Sequence, residues 1–337
     1  MRRHRIKLEE AATYHVMSRV IEHRFIFGDV AKNYMSGLMR RLEVFSGCEV
    51  RTYSFLDNHF HILLHVPERV VVSDDEVKRR ARVLYGKKKY ALMERDWEIW
   101  EEQGQVERVR EQLNKFRVRM YDLSKFMKTF KQRLSIYYNA NSGRKGAGPL
   151  WSDRYKSVLV EENEYSLVVV AAYIDLNPVR AGIVKDPKEY RWSGYAEAVA
   201  KGGLAVDGLS KLFVNSTLSI GEVVAEYRQN LYIQGAERHH ELTGELIKPG
   251  FKREMVDKVL DEGGKLSLPV LMHSRVRYFS DGVIIGCKDF VERMFNEHSG
   301  EFSKLRRKRG ANQMRGGEWG DLCAACELRS NVVTAPD

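Results

Sequence analysis

The chain has 337 residues, 43% hydrophobic and 30% charged, an ordinary globular balance with material for two domains or for one with insertions. No run of 18 apolar residues occurs and the basic opening Met1-Arg2-Arg3-His4-Arg5 lacks the apolar stretch of a signal peptide, so neither a membrane span nor secretion is expected. Lys and Arg number 56 against 46 Asp and Glu, a net charge of +10 that favours an anionic partner such as nucleic acid, and four cysteines are too few for a disulfide scaffold and fit a reducing cytoplasm.

Thr13 to Val20 alternates as a strand does. Asp29 caps a helix to about Phe45, with Tyr34, Leu38, Leu42 and Phe45 on one face and Gly47 as its stop. Cys48 to Leu56 reads as a second strand, Asp57-Asn58 as a two-residue turn, and His59 to Val66 as a third strand paired back on the second. On that third strand Phe60, Ile62, Leu64 and Val66 face one way, and His59, His61, Leu63 and His65 the other.

Pro67 ends the strand, and Ser73 with Glu76 makes a capping box for a charged helical insertion over about 73–118. A further helix from about Met120 to Asn139 carries the stripe Met120, Leu123, Met127, Phe130, Leu134 and Tyr137. After a Gly-rich basic loop, Arg154 to Val160 reads as a fourth strand. Asn163 then caps a helix that ends before Asn177-Pro178, a pair expected to shape a turn. The order β-α-β-β-α-β plus a helix predicts an α+β fold, a ferredoxin-like four-stranded antiparallel sheet with helices on one face and the histidines on the open one. The expected organisation is a domain over 1–200, a linker over 201–250 and a mostly helical module over 251–337. The basic run Lys304 to Arg309 in that module is suited to a DNA backbone.

His59 and His61 flank one apolar residue on a strand, so they share a face with Cα atoms roughly 6–7 Å apart, close enough for both imidazoles to hold one ion. Around them stand Tyr14-His15-Val16, Asn58-His59-Phe60-His61, Leu150-Trp151-Ser152-Asp153-Arg154-Tyr155-Lys156-Ser157 and Leu176-Asn177-Pro178-Val179-Arg180-Ala181-Gly182, followed by Arg191-Trp192-Ser193-Gly194-Tyr195. In this order the blocks, over about residues 8–200, resemble the single-tyrosine HUH transposases, most of all the REP-associated tyrosine transposases. Tyr278-Phe279-Ser280-Asp281-Gly282 looks like the tail of longer members.

The resemblance implies strand-specific cleavage and rejoining of single-stranded or hairpin DNA. Two histidines and a polar third ligand would hold Mg²⁺ or Mn²⁺, and a helix tyrosine would attack a backbone phosphate to leave a 5′-phosphotyrosine and a free 3′-OH. Neutral imidazoles suit such a metal, and a covalent step keeps the bond energy for religation. On the family's pattern the nucleophile is expected where this chain has Leu134, with Asn139 five residues on. Tyr137 and Tyr138 lie one turn further along that helix and are the candidate nucleophiles, Tyr137 first because it continues the stripe. The metal set is His59 and His61 with Asn139, and Gln132 and His15 remain as alternatives for the third ligand. His15 is read first as a hydrogen-bonded sheet residue.

Lys128, Lys131, Arg154, Lys156 and Arg180 are the expected phosphate contacts, and Trp151 and Tyr155 can stack on unpaired bases. Cys323-x-x-Cys326 lacks a second pair at metal spacing. The implied partner is DNA, with a homodimer as the family's habit and no membrane. Competing readings are a catalytically silent DNA-binding descendant, an RNA-binding ferredoxin-like module and an H-x-H metallohydrolase.

Overall fold

A computed structural model describes residues 5–141, 149–213, 219–232, 238–239, 246–248, 275–302, 310–315, 319–325 and 333–334. The Gly-rich loop, the 304–309 basic run and Cys326 lie outside the described residues. Strand β1 spans Ala12–Arg19, helix α1 Asp29–Ser46, β2 Glu49–Phe55 and β3 His59–Val66. Helices α2 (Asp74–Glu102), α3 (Val106–Arg117) and α4 (Leu123–Asn141) follow, then β4 (Lys156–Val160) and α5 (Glu164–Asp175). The chain continues through α6 (Asn177–Arg180), α7 (Gly194–Lys201), α8 (Leu204–Ser210) and α9 (Ile220–Tyr232). Its last part holds α10 (Arg277–Asp281), β5 (Ile284–Gly286), α11 (Lys288–Glu297), β6 (Asn312–Gln313) and β7 (Cys323–Ala324).

The protein is α+β, with a mixed sheet of seven strands in the order β2-β3-β1-β4-β5-β7-β6. This corrects the expected four-stranded sheet. The extra strands come from the segment expected to be mostly helical. Val283-Ile284-Ile285 is a short buried apolar run between Gly282 and Gly286, and it adds in parallel to β4 through Leu159–Ile284 and Val160–Ile285. In the order β2, β3, β1 and β4 each strand is antiparallel to its neighbour, and the Asp57-Asn58 turn returns β3 onto β2 with Leu56 N donating to the His59 carbonyl at 2.9 Å. Cross-strand partners share a face, so the pairs Thr13–His65, His15–Leu63, Met17–His61 and Arg19–His59 put His15 beside the histidines of β3.

One face of the sheet is dry. Phe60, Ile62 and Leu64 are fully buried there beneath α1 and α4, and Phe130 of α4 meets Phe60 edge to face at 5.3 Å. Helix α1 stops where Gly47 turns left-handed (φ 72°). A Cβ there would lie 2.5 Å from the Tyr121 ring, so only glycine fits. In the insertion, Ser73 caps α2 by accepting from Glu76 N, and Gly86 (φ 73°) breaks its helical path.

The histidine face is covered too, which corrects the expectation of helices on one face only. Helix α5 lies across it. Every residue from Ser166 to Asp175 is buried, and a helix that is apolar nearly all round must be covered on both sides. Asp175 pins it to β2, α9 and α7: the carboxylate accepts from Thr52 Oγ1 at 2.8 Å, Tyr227 OH at 2.6 Å and Tyr195 N at 3.2 Å. Burial raises this carboxyl to about 6. Among the described residues no helix is long and apolar enough to cross a membrane.

Candidate active site

Where α5 gives way to α6, a cavity of about 370 Å³ opens over the histidine face. Its walls carry His59 and His61 from β3, Arg19 from β1, Tyr173 from α5, Asn177 and Arg180 from α6, Arg154 and Lys156 at the start of β4, and Asp281 from α10. Asn163 sets the phase of α5 by capping it, accepting from Ser166 N at 2.8 Å. Pro178 falls in the first turn of α6, where a missing N–H costs nothing, so the chain restarts as a second helical turn at Asn177. Tyr173 and Asn177 are thereby presented one turn apart.

The imidazoles form a short relay. His61 Nδ1 lies 2.8 Å from His15 Nε2, and His15 is fully buried with Nδ1 facing the Phe279 backbone without a well-formed hydrogen bond. Burial lowers His15 to about 3, and it holds His61 well below its ordinary value, with the neighbouring His15 and His59 next in weight. Both rings are therefore neutral at physiological pH. In the arrangement where His61 Nδ1–H donates to His15, the His61 Nε2 lone pair is turned to the cavity. His59 Nδ1 sits 2.5 Å from Asn58 Oδ1, an acceptor, which fixes the tautomer whose lone pair is on Nε2.

Asn177 spends its Nδ2 on the carbonyls of Tyr173 and Ile174, each at 3.3 Å, so Oδ1 is the atom by which it could serve an ion. Two imidazole nitrogens and an amide oxygen fit a small divalent ion that keeps open positions for phosphate. Among the described residues no group of three His, Cys, Asp or Glu is placed to hold an ion, so the third donor here has to be an amide or come from substrate or water.

Tyr173 stands edge-on to both buried histidines, with ring centroids 6.2 Å from His15 and 6.3 Å from His61. The Arg180 guanidinium covers its other side at 4.0 Å and donates to its carbonyl oxygen, and the Phe279 ring packs on it at 4.6 Å. Burial lowers Arg180 to about 10, which leaves it cationic at neutral pH. Lys156 is held in an ion pair with Asp281 at 2.8 Å.

The candidate residues divide between the two sides of the sheet. His59, His61, Arg154, Lys156 and Arg180 are gathered around the cavity. Tyr137, Tyr138 and Asn139 ride on α4 and do not line it. Tyr137 stacks on Tyr34 at 3.8 Å with the rings 5° from parallel, and Tyr138 packs against the core. Lys128 lies on the outer surface of α4, and Lys131 donates to the Asp153 carbonyl at 2.7 Å over the Trp151 ring. Burial lowers Lys131 to about 8. Sequence reasoning passed over Tyr173 and Asn177, although the signal was present: a tyrosine and an amide four apart, across a helix end marked by proline.

No family model and no curated protein matches the chain. A solved structure described as a REP-associated tyrosine transposase bound to a REP hairpin is similar at 14% identity, over 60% of this chain and 86% of that one, with a TM-score of 0.34. A likeness of that degree leaves the reading to the residues of the site.

Proposed function

We propose that this protein is a transposase-like DNA nuclease and strand transferase that acts on single-stranded or hairpin DNA, with Tyr173 as its nucleophile and His59, His61 and Asn177 as the seat of Mg²⁺ or Mn²⁺. One observation carries the reading: a single cavity joins His59 and His61, a tyrosine, an amide one turn from it and the cations Arg19, Arg154 and Arg180. Charge of that sign in a partly closed cleft suits a phosphodiester.

A divalent ion at the histidines would polarise a phosphoryl oxygen and orient the scissile bond. The Tyr173 phenol oxygen then bonds to phosphorus as the bond to the 3′ oxygen breaks. The phenolic proton ends on the released 3′-hydroxyl, and a phosphotyrosine holds the 5′ side for rejoining. Arg180 and Phe279 clamp the tyrosine ring, which limits the geometries it can adopt and keeps water from its faces.

The test is a covalent adduct. Wild-type protein with Mn²⁺ and a panel of labelled hairpins is expected to yield a protein–DNA band on a denaturing gel that Tyr173→Phe loses and that Tyr137→Phe and Tyr138→Phe keep. An adduct that survives in Tyr173→Phe overturns the assignment. A binding-only reading is favoured by one observation, the 3% exposure of Tyr173 beneath Phe279, and it predicts hairpin binding with no adduct on any substrate.

A further inference from the structure

We propose that the outer surface of α4 is a second nucleic-acid site, on the side of the sheet away from the cavity, which takes a single-stranded DNA segment. The inference stands apart from the nuclease reading, since none of its residues touches the histidine cavity.

Two adjoining grooves run along this surface. One is lined by Tyr34, Tyr85, Lys89, Arg133, Ile136 and Tyr137, the other by Tyr85, Arg119, Lys125, Lys128, Gln132 and Arg133, and neither has an Asp or Glu in its wall. Lys125 and Tyr137 are twelve residues apart on the helix, so the strip is about 18 Å long.

Its cations differ from several arginines elsewhere in the chain in having no acidic neighbour. Arg40, Arg79, Arg80 and Arg117 each lie against a carboxylate. Among the described residues, no carboxylate lies within ion-pair distance of Arg41, Lys89, Arg119, Lys125, Lys128 or Arg133. Burial, and after it the charges of Arg119 and Arg41, pull the Arg133 guanidinium below its ordinary value. Such crowding carries a self-repulsion that a polyanion relieves.

The aromatic content narrows the polyanion. Tyr85 is fixed in the strip: its hydroxyl accepts from Arg119 at 2.7 Å, and Arg133 and Lys89 lie over its ring at 4.8 and 5.2 Å. Tyr34 and Tyr137 form a parallel pair beside it, half-exposed, and Ile136 is 62% exposed. Flat rings set among unpaired cations suit bases that stack while their phosphates meet lysine and arginine, the pattern of single-strand binders. A duplex keeps its base faces covered and would use only the charges.

The experiment reads binding by fluorescence anisotropy of labelled oligo-dT of about 15 nucleotides, in EDTA so that cavity chemistry is silent. Lys89, Lys125 and Lys128 are exposed, so the triple Lys→Gln variant is expected to fold as wild type does. It should bind at least about tenfold more weakly at ~0.1 M salt, and its salt slope should fall by about 2, at roughly 0.7 per lost phosphate contact. Tyr137→Leu should lose about fivefold or more through stacking. Triple-variant affinity and slope within about twofold of wild type overturn the site. Unchanged binding in Tyr137→Leu, or equal affinity for duplex, overturns the single-strand assignment. Tyr173→Phe should leave this binding intact. A wild type that forms no adduct, with a triple variant that loses binding, would fell the nuclease reading and leave this one standing.

Discussion

The two faces of the central sheet are built from the same residue types and put them to different use. On the α5 side, Tyr173 is almost fully buried, gripped by Arg180 and Phe279 next to two neutral histidines. On the α4 side, Tyr137 is half-exposed, paired with Tyr34 and surrounded by lysines and arginines, and the sheet beneath it is dry. Burial and fixed neighbours hold a side chain to one geometry, which a reacting group needs. Exposure and an unneutralised charged rim suit association with a long polyanion. The contrast teaches that a tyrosine's neighbours, more than its place on a helix stripe, decide what it can do.

The sharpest way to break this comparison is to measure cleavage in Tyr173→Phe beside Tyr137→Phe. The first is expected to fall by about 10³-fold or more, as for loss of a nucleophile, and the second to stay within about threefold. A reversal of the two would exchange the roles of the faces. Next in size is the metal. His61→Ala, which removes a proposed ligand, should weaken Mn²⁺ binding by more than His15→Leu does. His15→Leu, which removes only the buried partner of His61, should weaken it by about 10–100-fold. His15→Gln keeps an acceptor for His61 Nδ1–H and should recover part of that loss. Equal Mn²⁺ affinity in wild type and His15→Leu, read by calorimetry, would show that the relay does not orient the ligand.

The smallest expected effect concerns Lys131, which burial beside Trp151 lowers to about 8 from an ordinary 10.5. The folded state therefore binds fewer protons than the unfolded state between these values, and this residue's contribution to stability rises as pH climbs through that window and is lost as pH falls through 8. Thermal unfolding of wild type relative to Lys131→Met should show that rise between about pH 8 and 10.5. A flat difference would mean that Lys131 stays charged in the fold, as a direct phosphate contact would require.

Much of this was legible in the chain. Alternation on His59 to Val66 predicted which side chains share a face, and β3 carries them so. Gly47 stops α1, and Ser73 and Asn163 cap the helices they precede, because capping and left-handed stops are properties of a few neighbouring residues, whereas Asp29 is the first helical residue of α1 and the cap position expected of it falls to Gly28. The stripe could not place Tyr137 relative to the histidines, for a physical reason. An amphipathic stripe shows which side of a helix is buried, and it carries no information on which face of the sheet that side meets. Helix α5 has almost no polar side at all, so its periodicity gave no orientation to Tyr173.

By itself the sequence determined the local conformations, the shared face of His59 and His61 and the excess of positive charge, since these follow from the pleat, from caps and from composition. Only the tertiary structure decided that α5 roofs the histidines, that Tyr173, Asn177 and Arg180 join them, and that residues 284–286 and 323–324 extend the same sheet. Those outcomes rest on contacts between segments more than a hundred residues apart, such as Thr52 with Asp175 and Lys156 with Asp281. Such contacts form where buried surface and paired charge repay the closing of long loops, and a local pattern does not record them.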